Sequence, residues 1–256
     1  MRTLISSLLA SLLALGAVGP AQGAKPKKSA PPPADEAPAE KVAPVTILKR
    51  ADDVRNPADS YLLKVKVTSS DRPDDPSEFE VSLQGNAHTL IKTIKPAKDH
   101  GRNMLMLGEE MWAYLPNLKR AVRVGLNQKL VGQAANGDIS RMRWFGDYDA
   151  QVEAETDKEW RLLLTANKKG LTYESVRAWI EKKTFHPQRA EYLSLTGKVL
   201  KRAKWGDWRP LCGMVRPGEL LIQDAVRPDD QSTIKVVAME VRDFDSSIFS
   251  PDGIGE

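Results

Sequence analysis

Over most of the chain, hydrophobic and polar positions alternate with period two. Leu63, Val65 and Val67 alternate with Lys64, Lys66 and Thr68; Phe79, Val81 and Leu83 alternate with Glu78, Glu80 and Ser82. Such alternation predicts strands with one buried and one wet face. More strands are expected at 88–95, 102–107, 110–115 and 119–124, and later at 150–154, 160–165, 176–183, 189–195, 198–205 and 232–241. Residues 71–76 read as a long turn, and Gln84-Gly85-Asn86, Gly108-Glu109 and Pro116-Asn117 as tighter ones. Two places follow a helical period instead. Ile47, Leu48, Ala51 and Val54 share one face of a helix of about three turns, which Asn56-Pro57 ends. Asn136-Gly137, with Asp138 as N-cap, predicts a short helix followed by a greasy face of Ile139, Met142, Trp144 and Phe145. The expected fold is mostly β, of the α+β class, with about ten to twelve antiparallel strands in one domain; a sheet that broad must curl, split or close.

The N-terminal end has a different pattern. Arg2 precedes an apolar run over residues 4–18, and small residues follow at Ala21 and Gly23. That order predicts a signal peptide over residues 1–23, cleaved after Gly23. The run is shorter than the ~20 residues of a spanning helix. Residues 24–44, rich in Lys, Ala and Pro, are expected to be a disordered spacer, and residues 45–256 the folded domain. No Cys stands near the expected cleavage site to carry a lipid, so a released protein without a lipid anchor is expected.

Composition narrows the function classes. With 38 basic and 34 acidic residues the surface is mixed, with no concentrated basic stripe, and no nucleic-acid partner is expected. The single Cys212 makes no intramolecular disulfide and is expected to be buried as a small apolar residue. His88, His100 and His186 have no partners at zinc-ligand spacing; no metal and no cofactor are expected, and His100 and His186 read as exposed loop residues. There is no G-x-S-x-G, P-loop or G-x-G-x-x-G. The acid pairs Asp52-Asp53, Asp74-Asp75 and Asp229-Asp230 fit solvated turns or helix faces, so an enzyme is not expected.

Residues 102–116 break the alternation. Met104, Leu105, Met106, Leu107, Met111, Trp112, Tyr114 and Leu115 make both faces apolar. One face must pack the core. The other lines a cavity, to which flexible Met side chains are suited, or lies under helices; the pattern leaves both open.

The run from Gly101 to Gly108, then Met111-Trp112-Ala113-Tyr114-Leu115-Pro116, resembles a bacterial family of outer-membrane lipoprotein-sorting proteins, relatives of the LolA-type periplasmic carriers. Gly132, Asn136-Gly137-Asp138-Ile139-Ser140, Pro187-Gln188-Arg189-Ala190-Glu191 and Gly197-Lys198 are similar to the same family, with Ile139 where Phe is commoner. The resemblance implies a half-open β-barrel, a strongly curved antiparallel sheet with short helices as a lid over an apolar cavity. It implies a periplasmic carrier that shelters acyl chains of lipoproteins or other lipids on the way to the outer membrane. Its expected partners are an inner-membrane exporter of the RND type and an outer-membrane acceptor, and a monomer is expected. On this reading Met104, Met106, Trp112 and Tyr114 face the cavity, Ile139, Met142 and Phe145 belong to the lid, and Arg102 pairs with a headgroup or a lid carboxylate. The opposite parity, through Leu105, Leu107 and Met111, stays open. The alternative is an exporter's accessory subunit that holds no lipid and docks through its spacer and the basic run Lys119, Arg120 and Arg123.

Overall fold

The computed structural model describes residues 41–251 and 254–255. The expected signal peptide and most of the expected spacer lie outside these residues. Helix α1, Pro44–Arg55, starts with proline at its first turn and ends at Asn56, whose side-chain amide returns to the Asp52 carbonyl at 2.9 Å. Its stripe of Ile47, Leu48, Ala51 and Val54 is buried.

The chain then runs β1 Ser60–Ser69, β2 Arg72–Gln84, β3 His88–Lys95, β4 Met104–Leu107, β5 Glu110–Leu115 and β6 Arg120–Val124. A small hairpin of β7 Lys129–Val131 and β8 Ala134–Ala135 and the short helix α2, Gly137–Ser140, follow. After them come β9 Tyr148–Glu155, β10 Glu159–Ala166, β11 Ser175–Glu181, β12 Pro187–Leu193, β13 Val199–Leu211, β14 Met214–Asp224 and β15 Gln231–Val241.

Thirteen strands form one antiparallel sheet in the order β6-β5-β4-β3-β2-β1-β15-β14-β13-β12-β11-β10-β9. β6 and β9 are not paired to each other, so the curved sheet is not closed. The chain therefore starts mid-sheet, walks out to one edge at β6, and walks back in from the opposite edge at β9. Residues 125–147 carry it from edge to edge, as a strap that fills the hollow of the sheet. Leu126, Val131, Ala134 and Ile139 of the strap are buried against the β1–β5 half of the sheet. Trp144 and α1 are buried against the β9–β13 half.

Two strand readings change. The expected long turn at 71–76 is instead the start of β2: β1 and β2 turn over Ser70 and Asp71, with Ser69 paired to Arg72. Pro73 and Pro76 are tolerated because β3 joins β2 only from Glu78, leaving their side of the strand free of ladder bonds. The alternation does not show β14, because Pro217-Gly218 interrupts its pattern. There β14 pairs only with β13, since β15 joins at Glu219. The free side meets α1, where Arg216 donates to the carbonyls of Asp53 at 2.6 Å and Val54 at 2.9 Å and so caps the helix C-terminus. Cys212 is half-buried, not buried: it occupies the tight turn of the β13–β14 hairpin with φ of 47°. His186 is half-buried too, its ring stacked 4.0 Å from that of Trp208.

The outer face of β3–β5 is covered by the C-terminal tail. Phe249 and Ile254 pack on Leu90 and Leu105, with Trp112 and Tyr114 beside them. The outer face of β9–β12 is polar instead, with Glu153 and Glu191 paired to Arg177 at 2.7 and 2.9 Å.

Candidate functional site

The site is the concave face of the sheet together with the strap and α1. The strap is held at four points. At the β7–β8 turn, Gly132 has φ of 56°, and a Cβ there would lie 2.0 Å from the Ser69 hydroxyl. Ser232 accepts from the Gln133 amide at 2.8 Å and donates to the Val131 carbonyl at 3.0 Å. At α2, Gly137 sits so close to Thr172 that a Cβ would come 1.8 Å from its hydroxyl. Asp138 accepts from the Ala135 amide at 2.8 Å and the Tyr173 hydroxyl at 3.0 Å, and so binds across to the strands; the helix N-cap is Asn136, not Asp138. Burial raises the Asp138 carboxyl above its ordinary value, against the pull of Lys201.

The third point is a buried ion cluster. Asp147 is 0% exposed and accepts from Arg141 at 2.6 and 2.8 Å and from Lys168 at 3.0 Å. Arg141 also donates to the Gly108 carbonyl at 2.6 Å, tying the strap to the β4–β5 turn. Burial by itself would raise the Asp147 carboxyl, but Arg141 and Lys168 outweigh it and hold it below the ordinary value. The fourth point joins α1 to the strap. The buried Asp52 carboxylate accepts the amides of Trp144 at 2.7 Å and Phe145 at 2.6 Å and pairs with Arg55. Burial raises its carboxyl above the ordinary value, opposed by Arg55 and those amides.

Cavities lie between the sheet and the strap, and two of them matter here. The larger, about 300 Å³, lies at the β2–β6 end; Phe79, Met104, Ala113, Val124 and Val131 make the apolar part of its lining, and Arg72, Ser77, Thr93, Arg102, Gln128 and Lys129 the polar part. The smaller, about 70 Å³, lies under α2 and the Arg141–Trp144 stretch. Leu63, Ile139, Leu220 and Ile234 wall it, and Arg55, Arg141 and Arg143 supply charge. It has room for a few water-sized groups and not for a chain. Among the described residues no group of His, Cys, Asp and Glu is arranged to hold a metal, and no helix is long and apolar enough to cross a membrane.

Comparison with known proteins places this architecture. A family model described as an uncharacterized protein matches residues 85–255. A solved LolA superfamily protein from Nitrosomonas europaea is 31% identical, over 83% of this chain and 99% of that one, with a TM-score of 0.75. The chain belongs to the LolA superfamily. Two more distant solved structures share the fold with TM-scores of 0.68. One, described as an outer membrane lipoprotein-sorting protein domain from Vibrio parahaemolyticus, is 13% identical over 83% of this chain and 98% of that one. The other, a DUF1329 family protein from Desulfovibrio piger, is 17% identical over 82% of this chain and 97% of that one. No curated protein matches the chain.

In this LolA-superfamily chain the expected wall of Met104, Met106, Trp112 and Tyr114 divides between two faces. Met104 and Met106 point to the concave side, Met104 at the larger cavity and Met106 fully buried behind it. Trp112 packs on the outer face under the C-terminal tail. Tyr114 belongs to that outer cluster as well, its ring against Gly255, and reaches only the cavity rim. The cause is register: Met104 pairs with Ala113 and Leu105 with Trp112, so even-numbered residues of β4 share a face with odd-numbered residues of β5. The concave set is thus Met104, Met106, Met111 and Ala113.

Of the expected lid residues, Ile139 and Met142 line the smaller cavity. Phe145 does not; it is 42% exposed, because Gly146 and the Asp52 anchor turn it outward beneath Lys49. Arg102 stands at the rim of the larger cavity and pairs with Asp99 at 2.9 Å, a local partner three residues away and not a lid carboxylate. The buried Asp52 and Arg55 were missed, although their spacing shows them. Four residues after Leu48 and Ala51, they fall on the apolar stripe of α1, where a charge calls for a partner.

Proposed function

We propose that this LolA-superfamily chain is a periplasmic carrier that shelters the acyl chains of lipoproteins or other lipids on the concave face of its sheet, handing them from an inner-membrane exporter to an outer-membrane acceptor. The observation that supports it is the larger cavity, about 300 Å³, on the hollow side of an unclosed sheet, whose mixed lining includes an apolar wall of Phe79, Met104, Ala113, Val124 and Val131. Each CH₂ moved from water into such a space gains ~0.8 kcal/mol, which is why a lipid needs a container to cross an aqueous compartment. The strap is the movable part. It is joined to the walls through polar contacts at defined points, and its lifting would merge the two cavities beneath it. No reacting group is required for this task.

Native mass spectrometry of the purified protein tests the proposal. Co-purified or added lipid is expected to bind at one equivalent, and Ala113→Trp, which fills the larger cavity from a half-buried strand position, is expected to abolish binding while leaving the fold intact by circular dichroism. Failure of the wild-type protein to hold any lipid would favour an accessory subunit acting by protein contact. Unchanged uptake by Ala113→Trp would remove the cavity from the mechanism.

A further inference from the structure

The smaller cavity contains a group for which chain shelter has no use. Arg55 lines it and is 7% exposed. Its guanidinium lies 3.7 Å from the ring centre of Trp144 and 5.8 Å from that of Trp205. One terminal nitrogen donates to Asp52, but Nε has no hydrogen-bond partner. A buried charged donor without an acceptor is rare in folded proteins.

Each nearby carboxylate is already engaged. Asp52 serves the amides of Trp144 and Phe145 besides Arg55. Asp147 serves Arg141 and Lys168. Asp138 accepts from Ala135 and Tyr173, and Glu219 pairs with Lys235 at 3.4 Å. The other cations of the lining are spoken for: Arg141 by Asp147 and Gly108, Arg143 by the Ala58 carbonyl and Asp59. What is left is the Nε of Arg55, a donor on a buried cation with no acceptor, beside a space of about 70 Å³ whose walls are otherwise largely apolar. That combination suits an anionic oxygen attached to an apolar body. The volume fits a carboxylate or a phosphate and excludes the chain.

We infer that Arg55 is a headgroup anchor: its Nε donates to a carboxylate or phosphate oxygen of an acyl lipid whose chain lies on the concave face. The inference rests on the carrier reading and adds that the cargo is an anionic amphiphile. Arg55 then has two partners, with Asp52 pinning it to the strap and the cargo taking Nε. Its aromatic neighbours keep the guanidinium flat and dry, so that a charged oxygen binds it strongly.

Titration with oleate, with oleyl alcohol and with inorganic phosphate tests this on the full chain. The wild-type protein is expected to bind oleate about tenfold more tightly than oleyl alcohol. Arg55→Gln is expected to erase that preference, and Arg55→Lys to restore part of it. A purely structural Arg55 would shift both amphiphiles together, and that outcome, like equal binding of both to the wild type, overturns the anchor. Phosphate alone binding through Arg55 as tightly as oleate would mean a free-anion site and would overturn the lipid assignment. Should neither amphiphile bind the folded wild type, the carrier reading itself fails. Circular dichroism of both variants checks the fold, and Arg55→Lys keeps the charge that α1 needs should Arg55→Gln unfold.

Discussion

The ion cluster at Asp147 gives the sharpest energetic prediction. Asp147→Asn keeps the shape of the side chain and removes its charge. The carboxylate is fully buried, and Arg141, its bidentate partner, is 5% exposed, so the substitution leaves a buried guanidinium without its counter-charge, with one neutral Asn oxygen and the Gly108 carbonyl as acceptors. Breaking a buried pair in this way costs about 3–5 kcal/mol. Lys168 is 38% exposed and is rehydrated at little cost, so the lower half of that range is expected. For a domain of this size that corresponds to a fall in Tm of roughly 6–16 °C. Urea unfolding at pH 7 should show the loss as a lower midpoint with an unchanged slope. The pH dependence has a definite sign. The native carboxyl of Asp147 is held below its ordinary value, so its contribution is complete above the unfolded value near ~3.9 and is lost as pH falls through the native value. The wild-type protein should therefore lose its advantage over Asp147→Asn below about pH 4. A variant within 1 kcal/mol of wild type at pH 7, or a difference that persists unchanged into that acid window, would refute the reasoning.

Other consequences follow from single contacts. Gly137→Ala drives a methyl into Thr172 and should cost about 1–3 kcal/mol; Thr172→Gly in the same chain should recover most of that, as a double-mutant cycle by thermal unfolding would show. Phe249→Ala should cost about 3 kcal/mol and expose the outer apolar face of β3–β5, seen as increased binding of an apolar dye. Asp52→Asn should speed hydrogen exchange at the amides of Trp144 and Phe145 more than at those of β10 and β11, because it loosens the strap from α1 and not the sheet.

Much of this protein was legible along the chain. Period-two alternation marks β3 to the residue and most other strands within a few positions, because a strand with one wet face writes its own pattern, and the turns at Gly108-Glu109 and Pro116-Asn117 bound β5. The helical stripe of α1 and its stop at Asn56-Pro57 were equally plain. The resemblance through Gly132 and Gly137-Asp138 now has a physical basis: the two glycines are where the strap touches Ser69, Ser232 and Thr172 too closely for any side chain. β14 was hidden by Pro217-Gly218, whose tolerance depends on β15 joining only at Glu219.

The sequence by itself determined most of the strands, that residues 102–116 are apolar on both faces, and that α1 has a buried stripe. Tertiary structure alone decided what covers each face. The even-to-odd register of β4 and β5 sends Met104 into the hollow and Trp112 beneath a tail that lies over a hundred residues away in sequence. The edge-to-edge path of residues 125–147 turns a modest lid into a filling strap. It also brings Asp52 and Arg55 against Trp144, some ninety residues on. Alternation reports that a residue is buried; which surface buries it is set by pairing and chain crossing, which local pattern does not contain.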